Sequence, residues 1–232
     1  MNKNISILAG AALLAISGLA SAQDAKVGTS TVYLGLAHID VNSKAGPLTG
    51  GSKEFPDPGA KVRVGDQTTT GFGYVYRFAE QWSGELVLGL PPSHKVYGSG
   101  VLQNVGQIAT VRQMPPTVFV NYHFGPLLPK LYPFVGLGLN YTYFEKTRST
   151  PTGNAVSGGP TKIYLSNSWG AAAHVGFTLR YSERWSLVGT AAYADVKSNM
   201  RAVTTTNDGD ETLRTRINFR PMVYSLSLGY SF

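Results

Sequence analysis

Hydrophobic and polar residues alternate one by one along the last stretch of the chain. Large apolar side chains occupy every second position from Tyr224 to Phe232, and serine or glycine fills the positions between them. An alternation with a period of two residues is typical of a β-strand with two different faces. Because this stretch continues to a terminal aromatic residue, it favours a strand of a transmembrane barrel, although a central strand of a soluble sandwich alternates in the same way.

Seven further stretches of the chain show the same alternation, and we predict a strand at each of them. The eight predicted strands cover residues 27–41, 70–78, 82–90, 117–124, 132–145, 168–181, 185–196 and 214–232. A tilted strand of roughly 9 to 11 residues is long enough to cross a bilayer. Trp82, Tyr132 and Trp185 open their strands beside short connections, where we expect an aromatic girdle at the membrane surface.

The connections between the predicted strands alternate between long and short. Residues 42–67, 91–113, 146–164 and 197–213 are polar or rich in turn-forming residues, which predicts loops. Long loops on one side and tight turns on the other are the asymmetry of an outer-membrane barrel, and a Greek-key sandwich gives no reason for it. We therefore predict an all-β fold, namely an eight-stranded antiparallel transmembrane β-barrel with short periplasmic turns and long extracellular loops.

The start of the chain predicts export. Lys3 precedes an apolar run over residues 5–20, and Ala20 and Ala22 form an A-x-A site. This arrangement describes a secretory signal peptide rather than a transmembrane helix, which needs about 20 apolar residues. We predict a signal peptide over residues 1–22 and a barrel domain over residues 23–232, located in the outer membrane of a Gram-negative cell.

Composition and charge restrict the classes of partner. Only 14% of the residues are charged, and the mean hydropathy of −0.05 is expected when apolar and polar positions alternate. The formal net charge of +7 favours either solubility or attraction to the anionic headgroups of an outer leaflet. Nucleic-acid binding requires a concentrated basic patch, whereas Lys and Arg are scattered along this sequence, so we expect no nucleic-acid partner. The absence of cysteine fits both a soluble and an embedded exported protein.

Several stretches resemble the outer-membrane protein W (OmpW) family, small barrels that include hydrocarbon-import relatives. They are GQIATVRQMPPT at 106–117, YHFG at 122–125, YPFVGLGLNYTYF at 132–144 and SWGA at 168–171. The tandem prolines are the most specific piece, because they are rare at a strand entrance. Asn167 and Ser93 depart from the family pattern in loop-proximal positions, which weakens any transfer of ligand contacts more than the fold. The resemblance implies passive uptake of small hydrophobic molecules, which enter from outside and leave sideways through the barrel wall.

The inward face of the predicted barrel mixes aromatic and small residues. The interior of an eight-stranded barrel is just wide enough to be filled by side chains, so we expect a narrow apolar lumen rather than a wide aqueous channel. The candidate lumen-lining residues are Tyr33, Phe119, Phe134, Phe144 and His174.

Two further groups of residues are candidates for closing and opening this lumen. Arg77, Glu85 and Arg180 face inward near the short turns, where they form either a polar floor that blocks straight passage or a plug that only stabilises the packing. Pro115 and Pro116 lack two ladder donors, which predicts weak strand pairing and a side exit at that point.

Other functions find less support in the sequence. His38, Asp40 and Ser43 lie close together in the sequence, at the end of the first strand. Acyl transfer needs three such groups within hydrogen-bond reach, and their spacing within one extended segment does not bring the side chains together. We therefore predict that the protein is not an enzyme. His123 and His174 both point inward without a third ligand, so we expect no metal and no cofactor. A structural or receptor barrel that acts through its extracellular loops, without transport, stays open as the alternative.

The expected partners follow from the predicted location. Outer-membrane lipids and lipopolysaccharide surround the barrel, and small hydrophobic molecules pass through it. The terminal Phe232 on the closing strand resembles the signal that the outer-membrane assembly machinery reads.

Overall fold

The protein folds almost entirely as β-structure. A computed structural model describes residues 27–52 and 58–232. Within these residues the elements, in chain order, are β1 (Ser30–Val41), β2 (Lys44–Ala45), β3 (Ala60–Val64), β4 (Gln67–Arg77), β5 (Trp82–Gly89), β6 (Ser93–Gly100), β7 (Gln107–Met114), β8 (Thr117–His123), β9 (Leu131–Ser149), α1 (Pro151–Ser157), β10 (Thr161–Leu165), β11 (Ser168–Arg180), β12 (Trp185–Ala194), β13 (Lys197–Thr206), β14 (Gly209–Asn218) and β15 (Pro221–Ser231). Among the described residues no helix is long and apolar enough to cross a bilayer. The predicted signal peptide lies outside the described residues.

Eight of these strands close into an antiparallel barrel. Around the barrel the order is β1, β4, β5, β8, β9, β11, β12 and β15, and the pairing of β15 with β1 completes the circle. Closure pairs the edges of the sheet, which would otherwise expose unpaired backbone groups to lipid. The predicted eight-stranded transmembrane barrel is therefore confirmed.

The two faces of the barrel differ as the alternation predicts. On the outer face, Leu34, Leu137 and Leu228 are 60%, 74% and 54% exposed. On the inner face, Ala37 and Phe119 are only 9% and 3% exposed. Large apolar side chains on the outside of a closed barrel are the surface that lipid requires.

Aromatic residues ring the barrel at the short turns, with one correction to the prediction. Trp82 lies 5.1 Å from Tyr122 and Trp185 lies 4.9 Å from Tyr230, measured between ring centroids. Tyr132, however, is only 8% exposed and faces the lumen, so its predicted place in the girdle is wrong. The reason is the alternation itself, because odd-numbered residues such as Val135 point outward in β9.

The last predicted strand, 214–232, is not continuous. β14 ends at Asn218 and β15 begins at Pro221. Between them Arg220 has a φ of 46°, in the left-handed region that residues with a side chain rarely adopt. Pro221 has no N–H group and cannot donate to a ladder, which favours a break at this point. At the break Phe219 lies in the core, with an exposure of 2%.

The four long connections extend from one side of the barrel, but they are not loops throughout. They contain β2 and β3, then β6 and most of β7, then the end of β9 with α1 and β10, and finally β13 and the start of β14. These strands form two sheets above the barrel, one of β3, β6, β7 and the upper part of β9, the other of β10, β13, β14 and β2. We call the two sheets together the collar.

The collar has an apolar core that lies directly above the lumen. Val64, Ile217 and Phe219 are 1%, 3% and 2% exposed. Ile39 and Val41, at the upper end of β1, belong to the same buried cluster. Because full burial of one such side chain stabilises a fold by about 1.5 to 3 kcal/mol, this core holds the long connections in one arrangement.

Candidate functional site in the barrel lumen

A buried polar network crosses the middle of the lumen. The Glu85 carboxylate accepts hydrogen bonds from the Tyr33 hydroxyl and from the Asn121 side-chain amide, each at 2.5 Å. His174 Nε2 lies 2.8 Å from the Asn121 side-chain carbonyl oxygen, and since that oxygen can only accept, the imidazole donates. The same nitrogen is 3.7 Å from the Glu85 carboxylate. Glu85, Asn121 and His174 are at most 5% exposed, so these three side chains are shielded from water, whereas Tyr33 is half-buried.

Two aromatic rings complete this layer. Phe119 stacks on the His174 ring with a centroid distance of 3.9 Å, and Phe134 meets the same ring edge-on at 5.4 Å. Glycines on the neighbouring strands leave room for the layer, because a Cβ at Gly73 would overlap the Tyr33 ring, and a Cβ at Gly136 would overlap Asn121 and His174. We call the whole layer the septum. It consists of Tyr33, Glu85, Phe119, Asn121, Phe134 and His174.

A cavity of about 270 Å³ lies between the septum and the short turns. Arg77, Arg180, Tyr33 and Glu85 all line it. The Arg180 guanidinium lies 4.1 Å above the centre of the Tyr132 ring, a cation–π contact. The three predicted floor residues therefore line one cavity, and Glu85 joins that cavity to the septum.

A second cavity, of about 140 Å³, lies on the collar side of the septum. Its wall is mostly apolar and includes Ala172 and Val196. Two polar residues in the wall are hydrogen-bonded to each other, since the Asn140 amide donates to the Thr117 hydroxyl at 2.8 Å. Gln113 also lines the cavity, and its Oε1 has no hydrogen-bond partner among the described residues. We call this space the upper cavity.

His94 fixes the side chain of Gln113 beside the upper cavity. Its Nδ1 lies 2.8 Å from the Gly65 carbonyl oxygen, which can only accept, so Nδ1 carries the proton. His94 Nε2 therefore accepts from the Gln113 amide nitrogen, at 3.2 Å. Burial lowers the pKa of His94, although the Gly65 carbonyl and the charge of Asp66 act in the opposite direction. This histidine belongs to the collar, above the membrane-spanning strands.

Phe219 separates the upper cavity from a third cavity inside the collar. The collar cavity has a volume of about 80 Å³, and Val62, Ile163 and Leu213 are among the apolar residues that line it. Phe219 lines both cavities, and its ring centroid lies 5.4 Å from that of Phe144. Phe219 thus borders apolar space both inside the collar and on the collar side of the septum.

The barrel wall has a gap beside the upper cavity, between β5 and β8. The last ladder pair of these two strands joins Val87 to Thr117. The next backbone hydrogen bond between the two sides joins the Gln113 amide to the Pro92 carbonyl, at 3.3 Å. We call the stretch between these two points the lateral gap. It consists of residues 88–91 and 114–116.

Three prolines keep the lateral gap unpaired. Pro91, Pro115 and Pro116 have no N–H group to donate across it. The Pro116 carbonyl accepts instead from the amide of Tyr141 on β9, at 3.0 Å. Leu90 is 57% exposed on the lipid-facing surface and also lines the upper cavity. Residues from both sides of the gap, among them Leu90 and Pro115, therefore line the upper cavity.

The residues selected from the sequence fall at several levels of this arrangement. Four of the five lumen-lining candidates belong to the septum, and the fifth, Phe144, lies higher, in the collar. Pro115 and Pro116 border the lateral gap. The terminal Phe232 pairs with Ser30 through both backbone groups, at 2.9 and 3.0 Å, and its side chain is 67% exposed. Its role in assembly stays a prediction.

The residues considered for catalysis and metal binding do not converge on one site. His38 Nδ1 lies 3.0 Å from the Thr68 hydroxyl, and the Ser43 hydroxyl accepts from the backbone amide of Val64 at 2.9 Å. His123 contacts a serine hydroxyl at 2.8 Å. Across residues 27–52 and 58–232, no group of three or more His, Cys, Asp or Glu side chains is placed to hold a metal ion.

Sequence reasoning missed three residues of the site. Asn121 is recognisable as an inward residue of its strand, but its bond to Glu85 depends on the register between β5 and β8. Gln113 lies in a segment whose composition predicts a loop. Phe219 lies inside a predicted continuous strand, and the only available signal was Pro221 two residues later.

Comparisons with known proteins agree with this architecture. The OmpW family matches residues 26–232. Outer membrane protein W of Vibrio cholerae is 30% identical over 226 residues, which cover 97% of this chain and 98% of the relative. The dibenzothiophene metabolism operon protein PahQ of Pseudomonas aeruginosa is 24% identical over 214 residues, covering 92% and 93% of the two chains. The crystal structure of the outer membrane protein OprG from Pseudomonas aeruginosa gives a TM-score of 0.80 at 26% identity, covering 91% of this chain and 99% of the other.

Proposed function

Because the chain belongs to the OmpW family of outer-membrane barrels, we propose that it mediates passive uptake of small hydrophobic molecules and releases them sideways into the bilayer. One observation carries the proposal. The apolar upper cavity is bordered below by the septum and at its side by the unpaired residues of the lateral gap. A molecule in this cavity therefore meets a polar barrier straight ahead and lipid at its side.

Entry follows the apolar space of the collar. A hydrophobic molecule leaves water at the collar cavity, passes Phe219 and reaches the upper cavity. Burial of apolar surface gains about 25 cal/mol per Å². The bilayer is as apolar as the cavity, so exit through the lateral gap costs little, and a concentration gradient suffices to drive the flux.

The septum is a poor path for such a molecule. Passing it requires separating Glu85 from Tyr33 and Asn121, and a buried polar group left without a partner costs about 1 to 3 kcal/mol. An apolar permeant offers no replacement for these hydrogen bonds. The septum thus directs the permeant toward the lateral gap.

The size of the permeant follows from the upper cavity. Its volume of about 140 Å³ is close to the roughly 150 Å³ of a dry engineered cavity that accepts benzene. The name of the relative PahQ refers to dibenzothiophene, a small apolar aromatic compound, which supports a permeant of this class.

The test is uptake into vesicles with an outer leaflet of lipopolysaccharide, because a plain phospholipid bilayer passes small apolar molecules without protein. We expect the protein to accelerate entry of toluene and not of arabinose. Ala172→Phe fills the upper cavity, and we expect it to reduce toluene entry at least tenfold. Ala171→Phe adds the same ring to the exposed outer face of the same strand and is the matched control.

Three results would contradict the proposal. The first is faster entry of arabinose than of toluene, which indicates an aqueous lumen. The second is an equal effect of Ala172→Phe and Ala171→Phe. The third is toluene entry no faster than in protein-free vesicles, which would favour the alternative of a receptor barrel acting through its collar.

A further inference from the structure

The outward side of one collar sheet concentrates positive charge. Lys and Arg are scattered along the sequence, but the fold brings six of them to the outer face of β10, β13 and β14 and the bend after β14. All six side chains are exposed. We call this surface the basic face. It consists of Lys162, Lys197, Arg201, Arg214, Arg216 and Arg220.

The strand alternation places the basic face directly above the lipid-facing surface. Tyr193 on β12 and Tyr224 on β15 point outward, with exposures of 39% and 48%. Steps of two residues along the chain lead from Tyr193 to Lys197 and Arg201, and Arg220 lies in the bend four residues before Tyr224. Since aromatic residues mark the membrane interface, the cations nearest to these tyrosines in the sequence, Lys197 and Arg220, lie at the height of the lipid headgroups.

The cations of the basic face have few acidic neighbours. Arg201 and Arg214 are directly opposite each other in the ladder of β13 and β14. Like charges in directly opposed positions destabilise a sheet. One member of this face is in an ion pair, Lys197 with Asp195 at 2.5 Å. An external anion would offset the repulsion between the others.

We propose that the basic face binds the phosphate groups of lipopolysaccharide in the outer leaflet. Arginine presents several N–H donors in a planar fork, which matches the oxygens of a phosphate. Arg201 also stacks over Tyr164, 4.8 Å from the ring centre, and this contact orients its guanidinium. Position, direction and charge of the face all fit a phosphorylated glycolipid that stands beside the barrel.

The other collar sheet carries the same kind of charge. Arg112 and Lys146 are directly opposite in the ladder of β7 and β9, and Glu145 lies 3.3 Å from the Arg112 guanidinium. This carboxylate neutralises part of that side. The charge of the basic face is therefore less neutralised than that of this second group of cations.

Calorimetric titration of the refolded barrel in non-ionic detergent tests the assignment. The probes are bisphosphorylated lipid A, its dephosphorylated form and inorganic phosphate. Each Lys or Arg near an anionic surface strengthens binding about fivefold. We therefore expect the double variant with Arg201→Gln and Arg214→Gln to bind lipid A about thirtyfold more weakly. Replacing both arginines by lysine should restore most of the affinity.

The matched control is the double variant with Lys130→Gln and Arg184→Gln, which removes two positive charges on the short-turn side of the barrel. We expect this variant to bind lipid A as the original protein does. Equal affinity of the two glutamine variants would overturn the proposal, as would equal binding of dephosphorylated lipid A. Inorganic phosphate that displaces lipid A at micromolar concentration would instead assign the face to a free anion. If the double variant does not fold, Arg214→Gln alone, with an expected fivefold loss, gives the same comparison.

Discussion

Replacing Glu85 by leucine tests how much the septum stabilises the barrel. Glu85 accepts hydrogen bonds from Tyr33 and Asn121, and leucine accepts none. The substitution leaves two buried donors without a partner, at about 1 to 3 kcal/mol each. Tyr33 also borders the cavity below the septum, where water can satisfy its hydroxyl, so its contribution lies at the lower end. We therefore expect the free energy of unfolding to fall by about 2 to 4 kcal/mol.

Urea unfolding in lipid vesicles, followed by tryptophan fluorescence, measures this change. Glu85→Gln keeps a hydrogen-bond acceptor of the same shape, and we expect it to lose less stability than Glu85→Leu. Glu183→Leu is the matched control, because Glu183 lines the cavity between the septum and the short turns from an exposed position. Its free energy of unfolding should stay within about 0.5 kcal/mol of the original.

Ion conductance in planar bilayers separates the two roles considered for the polar residues. A variant that unfolds more easily but conducts no ions indicates a plug that stabilises the packing. A variant of unchanged stability that conducts ions indicates a seal. Unchanged stability without conductance would refute the argument that this hydrogen-bond network matters to the barrel at all.

Two further substitutions test buried residues above the septum. Phe219→Ala removes the side chain that lines both the collar cavity and the upper cavity. We expect it to lower the free energy of unfolding by about 3 to 5 kcal/mol and to speed entry of naphthalene relative to toluene. The lipid-facing Phe124→Ala should leave the ratio of the two entry rates unchanged. His94→Gln tests how the buried imidazole affects stability. Because burial lowers the pKa of His94 in the folded protein, the unfolded chain takes up the proton at a higher pH than the folded protein does. The free energy of unfolding therefore falls as the pH drops below about 6.5. The urea midpoint of the original protein should therefore drop more than that of His94→Gln between pH 7.5 and 5, and equal drops would contradict this prediction.

The barrel strands are predictable because lipid imposes a strict rule on them. Most outward positions within the bilayer are apolar, so the alternation survives through stretches such as 132–145. No such rule acts on the collar, whose outer face meets water. Its strands carry threonine, serine, glycine and charged residues outward, and the apolar half of the pattern is short. Their composition therefore resembles that of loops, although Val62, Val64 and Val96 alternate inward in the folded collar.

Pairings between distant segments are a second reason why the collar was missed. β7 pairs with the upper part of β9, and the register shifts between Arg112 and Gln113. A shift of this kind reverses which residues point inward on one side of the ladder. Period-two reasoning carried along a single strand cannot locate it.

The septum shows what the alternation does and does not determine. It correctly places Tyr33 and Glu85 on the inner face, yet these residues belong to β1 and β5, which are separated by β4. Their hydrogen bond exists because Gly73, the ladder partner of Tyr33 on β4, leaves the tyrosine ring free to cross that strand. The same device recurs on the other side of the lumen, where Asn121 and His174 meet across β9.

Gly136 is the residue that allows this second crossing. It is the ladder partner of Asn121 on one side and of His174 on the other, and a Cβ there would overlap both side chains. Inward glycines in such barrels are therefore not only small residues that keep a lumen open. Where a glycine stands between two polar positions in register, it marks a contact between strands that are not neighbours. The sequence contains that signal, but it becomes readable only when the register of three adjacent strands is known.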